Sequence, residues 1–417
     1  MRRRRYLGVL GAGGLAGLAG CLDGLTGGGP GDGNTPSESA TDGGDTATAA
    51  GRDGDTAGER TLVNGVRVPV PDSELRRGAG IDAIPAITDP LFAADWDGLE
   101  MDARSRTGIE YTSRPALVDD DRVLVVERDA VSGTLGTDEP TGLASARAYP
   151  LRVLNWHEIV NDDYGGPLLV TYCPLCASGV TAVRRVNESR AVFGVSGLLY
   201  RNALVMYDRQ TRSLWSQIAA AAIQGVQTGD TLTLVPSTLT TWGEFRATHP
   251  DGEVLLPPPE SNTVTGRDQT RNYDENPYAA YENTRRIGLG GEFDDDRLHP
   301  KTMVVGVAHD GVARAYPLQP VQDAGVVNDT VGDLPVVVAA TAEGTLVAYE
   351  RTVDGEPLTF EREGAFLVGG GSRWRVVGGR AVDGPHEGRR LAQANEVSPE
   401  FFFAWLDFHP ETEVYGL

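Results

Sequence analysis

The chain has 417 residues, and its 59 acidic against 37 basic side chains give a formal net charge of −22. That field repels phosphate backbones and argues against nucleic acid as a partner. Cys21, Cys173 and Cys176 are the only cysteines, too few for a disulfide framework in a chain of this length.

Arg2 to Arg5 form a basic cluster, Tyr6 and Leu7 follow, and an apolar, Gly-rich run extends to Gly20. This is the layout of an export signal, and the arginines before Tyr6-Leu7 resemble the twin-arginine kind. The apolar run, about 14 residues, falls short of the roughly 20 that span a bilayer. Leu18-Ala19-Gly20-Cys21 resembles a lipobox, in which small residues expose the bond before the cysteine that takes lipid. Residues 1–21 are therefore expected to be a lipoprotein signal. The chain is expected on the outer face of the cell membrane, with lipid on Cys21 and the membrane as its partner; two acyl chains make such attachment stable. Residues 22–60 are rich in Gly, Asp, Thr, Ser and Ala, cannot offset the entropy of ordering, and are expected to be a disordered acidic tether.

Lys301 is the sole lysine. An acidic, Arg-for-Lys composition resembles that of halophilic, haloarchaeal-type proteins, because screening over about 3 Å at 1 M salt relieves self-repulsion.

Beyond residue 60, short β-branched runs at 123–127, 168–172, 180–186, 203–207 and 231–235 are separated by Gly, Asp and Asn turns. Helix is expected at 154–160, after Trp215, and at 240–248. One unit recurs. Arg147-Ala148-Tyr149-Pro150-Leu151 returns as Arg314-Ala315-Tyr316-Pro317-Leu318, and Val160-Asn161-Asp162 returns as Val327-Asn328-Asp329. The stretch from Ser213 through Trp215 to Gly225 aligns with that from Ser372 through Trp374 to Gly384, and both halves close on His-Pro, at His249 and His409. Asp89-Pro90-Leu91 parallels Asn276-Pro277-Tyr278. The expected fold is mainly β with short helices, a tandem duplication of one sandwich- or barrel-like unit. The first unit covers 61–256; a linker starting at Pro257-Pro258-Pro259 and the second unit cover 257–417.

The copies differ where chemistry would reside. His157 and Glu158 become Ala324 and Gly325, and the stretch from Thr171 to Ser178, with both cysteines, is replaced by a shorter segment. The block holding Asn202, Met206 and Asp208 shrinks to Gly369-Gly370-Gly371. The simplest account is one functional site in the first unit and a structural second unit.

Cys173-Pro174-Leu175-Cys176 admits three chemistries. As a local disulfide it would stabilise by only about 2 kcal/mol, since the closed loop is short. As a redox pair of the helical kind it lacks the helix that would lower a thiol pKa, because strands flank it, although a nearby cation would serve instead. As a knuckle it points two sulfurs at one spot, and with His157 it suits a transition metal, copper or zinc, with Met206 or His249 as a further ligand. Metal binding is the leading expectation, with a thiol–disulfide oxidoreductase and a non-catalytic binding or scaffold module as alternatives; whether the protein is an enzyme stays open. Glu158 and Asp208 are candidate acid/base groups, although a turn role is the better reading of Asp208. Gly194-Val195-Ser196-Gly197 has Leu198 where a nucleophile elbow needs Gly. Asn187 and Asn328 head glycosylation sequons.

The blocks from Asn155 to Asp162, Thr171 to Cys176, Phe193 to Gly197, Met206 to Arg209 and Ser213 to Gln217 resemble the signatures of a bacterial and archaeal family known as domain of unknown function 3179. The resemblance spans roughly residues 75 to 417, with Ala177 and Ala219 to Ala221 standing where more glycine is expected. The family has no established activity to carry over.

Overall fold

The computed structural model describes residues 60–104, 110–137, 142–267 and 270–417. The export signal, Cys21 and the tether to residue 59 lie outside the described residues. Among the described residues no helix is long and apolar enough to cross a membrane.

Among the described residues, six sheets have three or more strands, in two sets of three, and four two-stranded ribbons accompany them. In the first sheet of the first half, Arg122–Glu127 pairs antiparallel with Ala146–Pro150 and Thr238–Thr241, and Glu253–Leu255 joins Ala146–Pro150 in parallel. The second half repeats this order with Met303–His309, Val312–Pro317, Glu400–Phe401 and the parallel Glu413–Val414. The meander Ile159–Asp163, Pro167–Cys173, Ser178–Val183 recurs as Val326–Val331, Leu334–Ala340, Leu346–Glu350. Phe193–Tyr200, Ala203–Asp208, Leu214–Ser216 recurs as Glu361–Glu363, Phe366–Gly369, Ser372–Arg375.

The mainly β, short-helix expectation holds, but the sheets are not paired into sandwiches or closed into barrels. They resemble the blades of a six-bladed β-propeller. Burial gives the physical reason. Every residue of Pro167–Cys173, Ser178–Val183 and Ala203–Asp208 is buried, so these strands are covered on both faces. A two-layer sandwich would leave alternate residues in water.

The repeated motifs are the joints of this arrangement. Arg147 and the Tyr149 hydroxyl both donate to Asp162, at 2.9 and 2.6 Å. Arg314 and Tyr316 hold Asp329 in the same way, at 2.6 and 2.9 Å. The Asn161 side chain exchanges hydrogen bonds with the Phe193 backbone, and Asn328 does so with Phe360. Asn328 is thereby committed to a structural role, despite its sequon. The strands between residues 75 and 93 have no counterpart in the sheets of the second half: Asp89 closes a strand, whereas the similar Asn276-Pro277-Tyr278 leads into the short helix Ala279–Glu282. Leu75–Arg77, Ile87–Asp89 and Phe92–Ala93 add one strand to each sheet of the first half. Asn262–Thr263, beyond the triple proline, also pairs with Ile87–Asp89.

Residues from Thr61 to Leu417 form one compact unit. Phe401, Phe403 and Phe408 of the second half pack in the same core as Val123, Tyr149 and Trp215 of the first. Helices occur at Leu151–His157 and Trp242–Thr248, near the expected places, and also at Arg128–Leu135, Leu318–Ala324 and Phe402–Phe408. The residues after Trp215 turn without forming a helix, and 231–235 contributes isolated bridges at Thr231 and Leu234 instead of a strand.

Candidate functional site

The strand Pro167–Cys173 ends at the first cysteine, and the chain reverses through Pro174, Leu175, Cys176 and Ala177 to pair Ser178 with Cys173. Ala177 takes a φ of 55°, and the Cys176 N–H bonds the Cys173 carbonyl at 3.1 Å. The motif is thus a strand-to-strand knuckle, as its flanks imply. Gln217 clamps it: its amide donates to Thr171 Oγ1 and the Ser178 carbonyl, at 3.2 and 3.1 Å, and its oxygen accepts from Ser178 Oγ at 3.1 Å.

The knuckle brings the two Sγ atoms to 3.1 Å, both as free thiols, with Cys173 2% and Cys176 0% exposed. Their surroundings differ. Arg201 and Asn202 turn the next hairpin in the left-handed region, at φ 46° and 58°. This presents the Asn202 carbonyl to Cys176, whose thiol donates to it at 3.3 Å, while the Leu204 N–H points at Cys173. Burial alone would push the Cys173 thiol up. The contact with the Cys176 sulfur and hydrogen bonds from the N–H groups of Leu204, Cys176 and Leu175 outweigh it and hold Cys173 below the usual thiol range. Burial, the bond to Cys173, its charge, and the carboxyls of Glu400 and Asp407 push Cys176 well up. Loss of a proton is thus eased at Cys173 and opposed at Cys176.

Two buried carboxyls flank the pair. Glu158, at the end of Leu151–His157 with φ 54°, and Glu400 are both pushed well above the carboxylate range, by burial and then by the charge on Cys173. Glu400 belongs to the second half. So do Asp407, which accepts from the Asn202 side chain at 2.9 Å, and Phe401, whose N–H bonds the Cys176 carbonyl at 2.8 Å. Ser398 exchanges hydrogen bonds with Gly179 of the cysteine hairpin. The second half is therefore a wall of the site, contrary to the expectation that it is only structural. The sequence carries one trace of this, a lone acid before the aromatic run from Phe401 to Trp405.

A strap between the halves covers the turn. The Tyr281 hydroxyl donates to the Leu175 carbonyl at 2.9 Å and accepts from the Gly288 N–H at 3.0 Å. Lys301 fastens it: Nζ donates to the carbonyls of Arg286, Thr284 and Tyr281 at 2.6, 3.1 and 3.3 Å and lies 3.6 Å from the Tyr281 ring centroid. A compact ammonium can serve three converging carbonyls where a planar guanidinium cannot, which accounts for lysine here. Beside the hairpin lies a cleft of about 480 Å³, lined by Tyr172, Ala177, Arg122, Arg152, Asn155 and Phe401 among others.

The other candidate residues have different partners. His157 is fully buried, with Nδ1 2.8 Å from the Pro85 carbonyl and Nε2 2.9 Å from the Tyr273 hydroxyl. The carbonyl requires Nδ1 to donate, so Nε2 accepts, and neither nitrogen has a lone pair free for a metal. Burial holds its pKa down at about 4. His249 stacks on Phe245 and sits 3.3 Å from Glu127. Met206 is a buried strand residue paired with Val195 and Trp215. Asp208 accepts from the Thr211 backbone and side chain at 2.6 Å and from Trp215 Nε1 at 3.0 Å, so it organises a turn. Ser196 donates to the Val205 carbonyl within its sheet. Among the described residues, no group of three or more His, Cys, Asp or Glu is placed to hold a metal ion.

The fold and site define a propeller-like, mainly β protein with an asymmetric buried dithiol between its halves. The chain matches, over residues 81–412, the family described as protein of unknown function (DUF3179), and it belongs to that family. No curated protein and no solved structure matches the chain.

Proposed function

We propose that the protein is a thiol–disulfide redox protein whose two-electron centre is Cys173 and Cys176. The observation that carries this reading is the 3.1 Å sulfur separation with opposite hydrogen bonding at the two sulfurs. Cys173, as thiolate, attacks one sulfur of a substrate disulfide and expels the other as a thiolate. Cys176 then loses its proton and attacks Cys173 Sγ. That step forms the internal disulfide and releases the second substrate thiol, so two protein thiols are oxidised as one disulfide is reduced.

The same spacing argues against the metal reading. Two thiolates on tetrahedral zinc, with Zn–S about 2.3 Å, stand about 3.8 Å apart, and the site still needs further ligands. His157 is committed elsewhere. Protein purified from zinc- or copper-replete medium should carry well under one equivalent of metal. A full equivalent lost on Cys176→Ser would restore the metal reading.

Burial of both sulfurs is the observation that favours a non-catalytic module instead. Equilibration of the reduced protein with glutathione buffers separates the two. The redox reading expects a reversible Cys173–Cys176 disulfide with a potential between about −120 and −270 mV and turnover of small disulfides. Thiols inert to oxidised glutathione would leave the scaffold reading.

The lipobox-like stretch ending at Cys21 supports a setting outside the cell for this chemistry. In this proposal Cys21 carries lipid, the twin-arginine route exports the folded protein, and an acidic, Arg-rich surface suits concentrated salt. Cys21→Ser should move the protein from the membrane fraction to the medium.

A further inference from the structure

The internal duplication supplies a comparison for each wall of the site. The turn of one half's hairpin meets the outer strand of the other half's first sheet. On one side this is the turn before Leu346, facing Thr238–Thr241; on the other it is the cysteine turn, facing Glu400–Phe401. Registers equate the facing positions. Thr240 lies opposite Val123, itself opposite Pro150, and Glu400 lies opposite Val304, itself opposite Pro317. Thr240 is fully engaged: its hydroxyl accepts from Thr345 at 2.9 Å and donates to Glu244 at 2.9 Å. Where cysteines replace the threonine turn, a glutamate replaces Thr240.

Glu400 has no such satisfaction. It is 1% exposed, and its Oε2 is buried without a hydrogen-bond partner. A buried polar atom left in that state is costly and calls for an explanation. The carboxyl lines a cavity of about 250 Å³ with Ile218, Ala219, Trp405 and His409, large enough to hold water. The N–H of its neighbour Phe401 donates to the main-chain carbonyl of Cys176. Glu400 thus lines a cavity, and its charge bears on the thiol that the proposed exchange must deprotonate.

We infer that Glu400 is the proton-transfer group of the dithiol, taking the Cys176 proton as Cys176 attacks the mixed disulfide and passing it to the cavity. The inference rests on the redox reading above. The step balances. The S–H bond of Cys176 breaks toward the Glu400 carboxylate, directly or through one water, and the sulfur's electron pair forms the bond to Cys173 Sγ. The substrate thiolate leaves with the electrons of the mixed disulfide. In reverse, the Glu400 proton returns to Cys176 as the internal disulfide opens. Burial and the charge on Cys173 raise the affinity of Glu400 for a proton; the mixed disulfide removes that charge, which eases ionisation of Glu400 and leaves a carboxylate to take the Cys176 proton. Glu158 is a second buried carboxyl, but the unpartnered oxygen beside the Cys176 segment belongs to Glu400.

The test uses the reduced protein, residues 22 onward, and 2-hydroxyethyl disulfide, with quenched samples read by mass spectrometry. Mixed-disulfide formation at Cys173 and closure to Cys173–Cys176 are timed separately. In Glu400→Gln, closure should slow at least tenfold while mixed-disulfide formation changes less than threefold, and the closure rate should become first order in hydroxide. Glu400→Asp should recover part of the rate. Closure in Glu400→Gln at the wild-type rate with the wild-type pH profile overturns the inference and leaves the redox reading standing. A wild-type protein that forms neither the mixed nor the internal disulfide overturns both. Should Glu400→Gln fail to fold, the wild-type pH profile still decides: closure that tracks only hydroxide, with no added ionisation, overturns the relay.

Discussion

Oxidation of Cys173 and Cys176 should make the folded protein more heat-stable, by an amount set by the size of the loop. Closing a four-residue loop removes about 2 kcal/mol of unfolded-state entropy. Unfolding residues 61–417 at about 2.1 cal/mol/K per residue gives an entropy near 0.75 kcal/mol/K, so Tm should rise by about 2–3 °C. The folded state opposes this only weakly, because the sulfurs already lie 3.1 Å apart and need close by only about 1 Å to bond. Scanning calorimetry at pH 7, on protein reduced with a phosphine or oxidised with diamide, measures the shift; Cys176→Ser should show none. A fall in Tm on oxidation, with the internal disulfide verified by mass, would mean that the reduced knuckle is the relaxed one and that the geometric argument for a redox pair is wrong.

His157→Phe should destabilise the protein by about 2–4 kcal/mol, because the Pro85 carbonyl and Tyr273 hydroxyl lose their buried partner. The pH dependence has a definite sign. With its pKa lowered to about 4, His157 is neutral in the folded chain while the unfolded chain binds a proton below about 6.5, so its contribution is lost as pH falls, by about 3 kcal/mol at pH 4. Glu158 and Glu400, with raised pKa values, act oppositely and stabilise as pH falls. The His157 term is therefore read from urea titrations as wild type minus His157→Phe, and a difference independent of pH between 7.5 and 4.5 would contradict it. Gly225→Ala and Gly384→Ala should each cost about 2 kcal/mol: φ is 97° and 72°, and a Cβ would come within 2.6 Å of Ser213 Oγ and Ser372 Oγ respectively. Equal tolerance of alanine at both positions, seen as unchanged urea midpoints, would show that these turns relax. Lys301→Arg should loosen the strap, lower stability by about 1–2 kcal/mol and speed alkylation of the cysteines by iodoacetamide. Unchanged alkylation would show that the strap does not control access.

Local pattern and self-similarity determined much of this protein. Most of the strands and the knuckle between two of them follow from short β-branched runs set between turn residues, and the repeated Arg, Tyr, Asn and Asp positions follow from fixed motif offsets, all properties of the chain itself. The acidic turn role of Asp208 was equally legible, since its partners Thr211 and Trp215 are close in sequence. What tertiary structure alone decided is how strands group and what faces the sulfurs. Whether three sheets stack as blades or fold into a sandwich depends on both-face burial, which alternation cannot report. His157 precedes the strand that ends at Cys173 by one short strand and a turn, yet its ring is taken by Pro85 and Tyr273, far away in sequence. The groups that do tune the dithiol are a backbone N–H of Leu204 and a carboxyl of Glu400. A main-chain donor has no residue signature, and an acid more than 200 positions away is brought to the site only when the two halves close on each other.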